Sequence, residues 1–535
     1  MPTKNQDLAE AFLATAHEFK LGDLPTEQRH PETQDLADLS RNDPAAALSI
    51  LRKVDVAALE KVLAKEGEIA KLSAAIKQTL DSGGRIFFYG CGATGRLALS
   101  IDYIWRFVHR GMPEANKTMG FMSGGDLALV HSIENFEDHP EFGARQVREI
   151  GFRENDLLVS CTEGGETPSV IGATEEAARI SKRKPWFLYC NPDEILHNVA
   201  RSRAVIENPG IEKICLYVGP MSLSGSTRLQ ATTVLQLAAG SALLAHATAP
   251  GFPKLDLAGF VSFMKKADYG FLTPFVEAES AAYAKGEYFL YETNYYAITI
   301  LTDTTERSPT FSLPGFENQR ETSGPASLSY VTIPRALDTA DAWNRLLLRD
   351  PIALEWEELK GVAGERRMFG FDFSSYLPSL REKKLNGARQ HTFRIERNEG
   401  RMEFSLGGIE ASIDVSSLHP LVEHLFLKML MNAHSTLVMG RIGRFESNVM
   451  TWVKPSNNKL IDRSVRYVEF LLKKEGIEQF TYREVTLELF GQMENWGAGE
   501  SIVMKTAASL RKKAASRPAA QAPGPGGSYK AEARY

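Results

Sequence analysis

The sequence predicts an α/β protein built from two copies of one unit, each a parallel sheet flanked by helices, with a small helical cap at the C-terminal end. Three observations predict it. Short apolar runs without polar alternation recur between helical patterns from about residue 60 to 250. A similar rhythm returns after "APGFPKLD", and from Lys459 to Lys513 the pattern is helical throughout.

In the first unit the candidate strands are "RIFFYG", "TMGFMSG", "DLLVSC", "PWFLYC" and "KICLYV". Runs that are apolar at every position suit strands covered on both faces, the usual state of a parallel sheet between helices. In the second unit "GEYFLYETNYYAITILTDTTE" repeats the strand–loop–helix layout of "GRIFFYGCGATGRLALSIDY". "SLSYVTIP" and "RRMFGFDF" supply further strands, and "HTFRIERNEGRMEFSLGG" reads as a hairpin turning at "NEG". Each unit closes on a long apolar helix, "SGSTRLQATTVLQLAAGSALLAHA" and "HPLVEHLFLKMLMNAHSTLVMG". With 535 residues, two or three domains are expected. The boundaries fall at 1–59 for an N-terminal helical segment, 60–255 and 256–450 for the two units, and 451–513 for the cap. The Ala-, Pro- and Gly-rich tail, 514–535, is expected to be disordered.

Composition removes several function classes. The net charge is −5 with no dense Lys/Arg block, which excludes a nucleic-acid partner. Cys91, Cys161, Cys190 and Cys215 lie in or beside apolar runs without C-x-x-C spacing. They read as buried free thiols of a reducing compartment, not zinc ligands. The N-terminal "MPTKNQDLAEAFLATAHEF" is an amphipathic helix without the apolar centre of a signal peptide. "LQATTVLQLAAGSALLAHATA" is broken by Gln230, Gln236 and His246 and reads as a buried helix, not a membrane span. A cytoplasmic protein is expected.

The glycine loop carries the first functional signal. Gly90, Gly92 and Gly95 fit G-x-G-x-x-G at a strand-to-helix turn. A dinucleotide site also needs an acidic residue ending the second strand. Asp126 lies 31 residues beyond Gly95, behind two glycines, so a nucleotide-dependent oxidoreductase is the weakest reading. A phosphosugar fits better. Amides at a helix N-terminus hold an anion, and Thr94 is placed to add a hydroxyl. A second hydroxyl-rich turn, "SLSGSTRLQ", opens another helix, with Ser224 or Ser226 as its N-cap and Thr227 and Arg228 in the first turn. Simple capping explains that turn alone; two such turns in one unit favour a shared ligand. "HSIENFEDH" spaces His131, Glu134 and Asp138 at i, i+3, i+7, and a solvated acidic helix start explains it better than a metal site.

"GCGATGRLALS", "MSGGDLALVHSIENFEDHPEFG" and "GPMSLSGSTRLQATTVLQLAAGSALL" resemble, in order and context, the sugar isomerase (SIS) domain family. The similarity is to N-acetylmuramic acid 6-phosphate etherase and glucokinase regulatory protein, over roughly residues 60–510. It implies two tandem SIS domains with flavodoxin-like layering and a hexose 6-phosphate, of the fructose 6-phosphate type, bound in the first. The matching ligand positions are Gly92, Ala93, Thr94, Gly95, Glu134, Glu137, Thr162, Gly164, Ser224, Gly225, Ser226 and Arg228. Lys459, in "TWVKPSNNKL", matches a cap lysine that reaches the sugar phosphate. No cofactor and no metal is implied. The second unit has "YETNYYA" in place of "YGCGATG", so one working site per chain is expected.

Two further expectations concern chemistry. In the etherase one carboxylate removes the proton next to the sugar carbonyl and another protonates the departing lactyl oxygen. Glu137 matches one of these glutamates. The second falls near Ile104, with Asp102 displaced to another side of the helix; the regulator also lacks this acid. The resemblance thus favours a sugar-phosphate-binding regulator of a sugar kinase or other protein over catalysis. The alternative is an etherase-like lyase, or a sugar-phosphate isomerase, using Glu137 with an unrecognised second acid. Two departures bear on the ligand. Ala93 replaces a hydroxyl residue. Glu163 and Glu166 stand where the family offers small, hydroxyl or basic residues, and they oppose a phosphate unless they turn outward or meet a lysine.

Overall fold

The computed structural model describes residues 4–19, 21–133, 136–247, 251–321, 323–497 and 499–516. Five parallel strands form the first sheet: β1 (Ile86–Gly90), β2 (Thr118–Met122), β3 (Leu157–Cys161), β4 (Trp186–Tyr189) and β5 (Glu212–Cys215). They lie in the order β2-β1-β3-β4-β5. Every residue of β1, β3 and β4 is buried, which is why these strands read as unbroken apolar runs.

The second sheet keeps a parallel centre and adds an antiparallel edge. Its strands are β6 (Tyr288–Glu292), β7 (Ser329–Thr332), β8 (Gln390–Asn398), β9 (Arg401–Leu406) and β10 (Ile409–Asp414), ordered β10-β9-β8-β6-β7. β6 pairs in parallel with β7 and β8, while β8–β9 and β9–β10 are antiparallel. The β8–β9 turn places Glu399 and Gly400 at φ 46° and 79°, the left-handed pair that a tight hairpin requires. "RRMFGFDF" is not a strand. Glu365–Met368 forms one helical turn, and the buried Phe371 and Phe373 that follow meet the end of β7 through Ile333 N–H donating to Phe373 O (2.7 Å).

Two buried helices join the sheets. Every residue of Gln230–Leu244 is buried, and so is every residue of Pro420–Arg441 except the half-buried Arg441. A Cβ at Gly240 would lie 2.6 Å from Leu421 Cδ1, so the glycine leaves room for that side chain between the helices. Among the described residues no helix is long and apolar enough to cross a membrane. The four cysteines are free. A closer approach occurs between the helices Pro140–Glu149 and Pro168–Ile180. There a Cβ on Gly143 would sit 1.9 Å from Ser169 O, and one on Gly172 2.1 Å from Pro140 O. Because both neighbours are backbone, Gly172→Ala should cost about 1–3 kcal/mol, read as a lower urea midpoint at unchanged slope.

The N-terminal helix Lys4–Phe19 packs on the cap, with the Phe12 and Phe490 rings 6.2 Å apart. The cap comprises Asn458–Lys474, Tyr482–Met493 and Ile502–Ser516. The last of these helices carries residues 514–516, and residues 517–535 of the tail lie outside the described residues.

Candidate functional site

The three glycines of the first loop do different work. A Cβ at Gly90 would lie 2.4 Å from the Thr94 carbonyl carbon, and one at Gly95 2.5 Å from Met122 Cβ. Both therefore serve the tight turn and the packing of helix on strand. Gly92 has φ 56° with nothing within 4 Å of an added Cβ. It caps the helix Ala93–Val108 and faces a cavity of about 520 Å³.

Of the residues singled out in the sequence, Gly92, Ala93, Glu137, Gly225, Ser226, Arg228 and Lys459 line this one cavity. Thr94 does not line it. Its hydroxyl donates to Cys91 O (2.8 Å) and accepts from Cys91 N–H (3.1 Å), holding the loop closed. Gly95, Thr162, Gly164 and Ser224 also stand off the wall. Thr162 Oγ1 lies 3.0 Å from Thr167 Oγ1, Gly164 O accepts from Asn191 Nδ2, and Ser224 Oγ donates to Glu27 O (2.7 Å). Glu134 lies outside the described residues.

The second turn is not a helix cap. The helix starts at Gln230 with Leu229 at its N-cap, leaving Ser224–Arg228 as a loop bridged to Val449 through Ser224. Ser226 Oγ is buried there without a hydrogen-bond partner. An orphaned buried hydroxyl in a cavity wall marks a place for a ligand's polar atom.

Sequence reasoning missed part of the wall. Thr305, Glu306 and Ser308 come from the end of the second unit's helix Ala297–Phe311, and Asn457 and Arg463 join the expected Lys459 from the cap. No local pattern announces the second-unit residues. The cavity thus lies where both units and the cap meet.

Three carboxyl groups line it: Glu306, paired with Arg96 Nη1 (2.6 Å), and Glu137 and Glu163, which have no Lys or Arg in ion-pair contact among the described residues. Glu137 accepts from Asn457 Nδ2 (3.2 Å) and from the Cys91 thiol (3.7 Å). Burial raises it above the usual carboxylate range, with Lys459 opposing and Glu166 and Asp138 reinforcing the shift. Glu163 accepts from Thr232 Oγ1 (3.4 Å) and is pushed up to about 7, chiefly by burial. It neither turns outward nor meets a lysine. Glu166 does meet one: Lys459 Nζ stands 2.7 Å from its Oε1 and Arg201 binds its Oε2, and with both cations it is held down at about 2 despite burial.

Glu163 gives a prediction for stability. Its folded value lies above the ordinary 4.5, so its contribution is complete below pH 4.5 and is lost as pH rises towards 7. The loss amounts to roughly 3 kcal/mol. Glu163→Gln should remove that slope from urea midpoints measured between pH 4.5 and 8.

Asp102 does not substitute for the second acid. It is buried against Arg106 (3.0 Å), Thr118 Oγ1 (2.6 Å) and Arg349 (3.4 Å), while Ile104 belongs to the core. Of the residues spaced i, i+3, i+7, His131 lies on no helix and Asp138 ends the single 3-10 turn Phe136–Asp138. Among the described residues no group of His, Cys, Asp and Glu could hold a metal. In the second unit the corresponding loop is filled from within. The Glu396 carboxylate accepts from Asn294 N–H (2.8 Å), Asn294 Nδ2 (2.9 Å) and Tyr295 N–H (3.0 Å).

A family model described as the glucokinase regulatory protein N-terminal SIS domain matches residues 68–177. The N-acetylmuramic acid 6-phosphate etherase of Enterobacter sp. (strain 638) is 33% identical over 219 residues, spanning 41% of this chain and 68% of that protein. That of Rippkaea orientalis is 33% identical over 217 residues, with 41% and 66% covered. Among solved structures, tagatose-6-phosphate ketose/aldose isomerase from Escherichia coli aligns at 11% identity with a TM-score of 0.42, covering 76% of this chain and 95% of that one.

Proposed function

Because this chain belongs to the SIS-domain family of sugar-phosphate proteins, in the branch of the N-acetylmuramic acid 6-phosphate etherases and the glucokinase regulatory protein, we propose that it is a carbon–oxygen lyase. Its substrate is a lactyl ether of a hexosamine, held between the Gly92 and Ser226 turns. Glu137 acts as base and Glu163 as acid. Glu137 takes the proton from C2, next to the open-chain carbonyl, the C3–O bond breaks, and C2 and C3 become doubly bonded. Glu163 gives its proton to the departing lactyl oxygen. Water then adds across the double bond, with its oxygen at C3 and a proton returned to C2.

One observation carries this reading: besides the Arg96-paired Glu306, two carboxyl groups without an ion-pair partner, Glu137 and Glu163, stand in the wall of one cavity, both raised by burial. Elimination needs one carboxyl that is charged and another that still holds its proton near neutral pH. Glu163 at about 7 suits the acid. The charge of Lys459 acts on Glu137 through space and favours its ionised form, against the raising effect of burial. The etherase relatives support the lyase over the regulator that Ile104 suggested, because Glu163 supplies a second acid from a different loop.

Regulation without turnover is the second reading, favoured by the regulatory-protein model that matches residues 68–177. Assay of D-lactate released from N-acetylmuramic acid and from its 6-phosphate separates the two. Lactate formed in proportion to the protein supports the lyase. Saturable binding of either sugar with no lactate supports the regulator.

A further inference from the structure

We infer that a strap from the second unit sets Glu137 in the cavity wall, and that Trp356 is its positioning residue. The inference rests on the reading of Glu137 as the base and names what holds it there.

Glu137 sits on a weakly tied turn. Phe136–Asp138 is one 3-10 turn. The backbone bonds at its two ends, Phe136 N–H to Ile133 O and His139 N–H to Phe136 O, are both 3.4 Å long, beyond the usual range. Side-chain packing therefore has to fix the turn. Phe136 is buried, lines the cavity and stacks on Trp356, with ring centroids 5.6 Å apart and planes at 22°. Phe142 meets the same indole edge-on at 5.6 Å.

Residues 349–363 form the strap, which follows the helix Thr339–Leu347. In "LEWEEL" Leu354, Trp356 and Leu359 are buried while Glu355, Glu357 and Glu358 are exposed, so one apolar face lies on Phe136. These four buried residues make a cluster of their own, apart from the two larger cores.

The first unit grips the strap on both sides of that cluster. Ahead of it, Arg349 binds Asp126 through Nη1 to Oδ2 (2.6 Å) and Nη2 to Oδ1 (3.0 Å). Ile352 N–H donates to Asp126 Oδ2 (2.6 Å), and Ile352 O accepts from Asp126 N–H (3.0 Å). Asp126, the acid that a dinucleotide site would turn to a ribose, thus docks the strap. Gly125, at φ 74°, leaves the room, since a Cβ there would lie 3.0 Å from Leu354 Cγ. At the cluster itself Trp356 Nε1 donates to Glu149 Oε2 (2.6 Å), and the Arg145 guanidinium lies 4.1 Å over the indole. Arg145 Nη1 also pairs with Glu358 (3.2 Å). An indole held at its edge and over its face is a fixed surface for the Phe136 ring. Plain burial of apolar area would explain the cluster alone. Positioning adds that loss of the indole displaces a carboxylate whose task depends on placement to within about 1 Å.

The test measures Trp356→Ala and Trp356→Phe in the full chain by lactate release from N-acetylmuramic acid 6-phosphate and by backbone amide exchange. Trp356→Ala should lower kcat by about 10- to 100-fold with KM changed by no more than about threefold. It should also speed exchange at residues 136–142 and leave the Gly92 loop as in the wild type. Trp356→Phe keeps a ring against Phe136 and should retain kcat within about threefold. An unchanged kcat in Trp356→Ala overturns the inference. So does an equal loss in Trp356→Phe, which traces the effect to the Nε1 bond with Glu149. If Trp356→Ala does not fold, Trp356→Leu, which fills the space without a stacking face, is read in its place. If the wild type releases no lactate, the lyase reading fails and exchange alone decides. Faster exchange confined to residues 136–142 in Trp356→Ala then supports a strap that sets Glu137, and unchanged exchange overturns it.

Discussion

Glu137→Gln should reduce lactate release by about 10²- to 10⁴-fold, the range for loss of a general base, with sugar affinity changed by no more than a few-fold. The amide keeps the acceptor that meets Asn457 Nδ2 (3.2 Å) but cannot take a proton. Glu163→Gln should produce a loss of similar size with a different signature. Glu163 is pushed up to about 7 and acts in its protonated form. Wild-type kcat/KM should therefore fall as pH rises past about 7, and the variant's residual rate should lack that limb. A Glu137→Gln protein with unaltered turnover removes Glu137 from the chemistry. A kcat/KM limb that survives Glu163→Gln assigns the titration to another group.

The largest loss of stability is expected at Asp303, which ties the two units together. Its Oδ1 accepts from Arg228 Nη1 (2.8 Å), Ser435 Oγ (2.9 Å) and Asn432 Nδ2 (3.0 Å), and its Oδ2 from Arg307 Nε (2.9 Å). Arg228, Asp303 and Arg307 are all buried. Asp303→Asn would leave two buried guanidinium groups short of their counter-charge, at a cost of about 3–5 kcal/mol. Arg345→Ala, at an exposed i, i+4 pair with Asp341, should cost about 0.5 kcal/mol or less. Urea unfolding of the two variants against the wild type measures both. Equal shifts would mean that the buried cluster adds nothing beyond an ordinary surface pair.

What the sequence disclosed followed the physics of its elements. The first sheet was legible because strands covered on both faces leave unbroken apolar runs, as in "RIFFYG". The hairpin was legible because "NEG" supplies the left-handed turn. "RRMFGFDF" misled because Phe371 and Phe373 are buried as strand residues would be, although they follow a helical turn and only abut β7. β10 passed unnoticed behind Gly407–Gly408, an edge strand with alternating exposure.

The site divides in the same manner. The glycine loop and the Ser226 turn could be found from local pattern. Thr94 and Ser224 could not be assigned that way, since one hydroxyl closes its own loop and the other is claimed by Glu27 O, far away in the chain. The role of Glu163 depends on burial contributed by neighbouring elements. The pairing of Glu166 with Lys459 joins residues 293 positions apart. Neither leaves a trace in short-range spacing.

The most direct measurement follows the sugar's C2 proton by NMR, with wild-type protein and N-acetylmuramic acid or its 6-phosphate in deuterated water. Removal of that proton by Glu137 predicts loss of the C2–H signal together with appearance of free lactate. A sugar that binds yet keeps both its C2 proton and its lactyl ether would contradict the assignment of Glu137 and Glu163 as a catalytic pair.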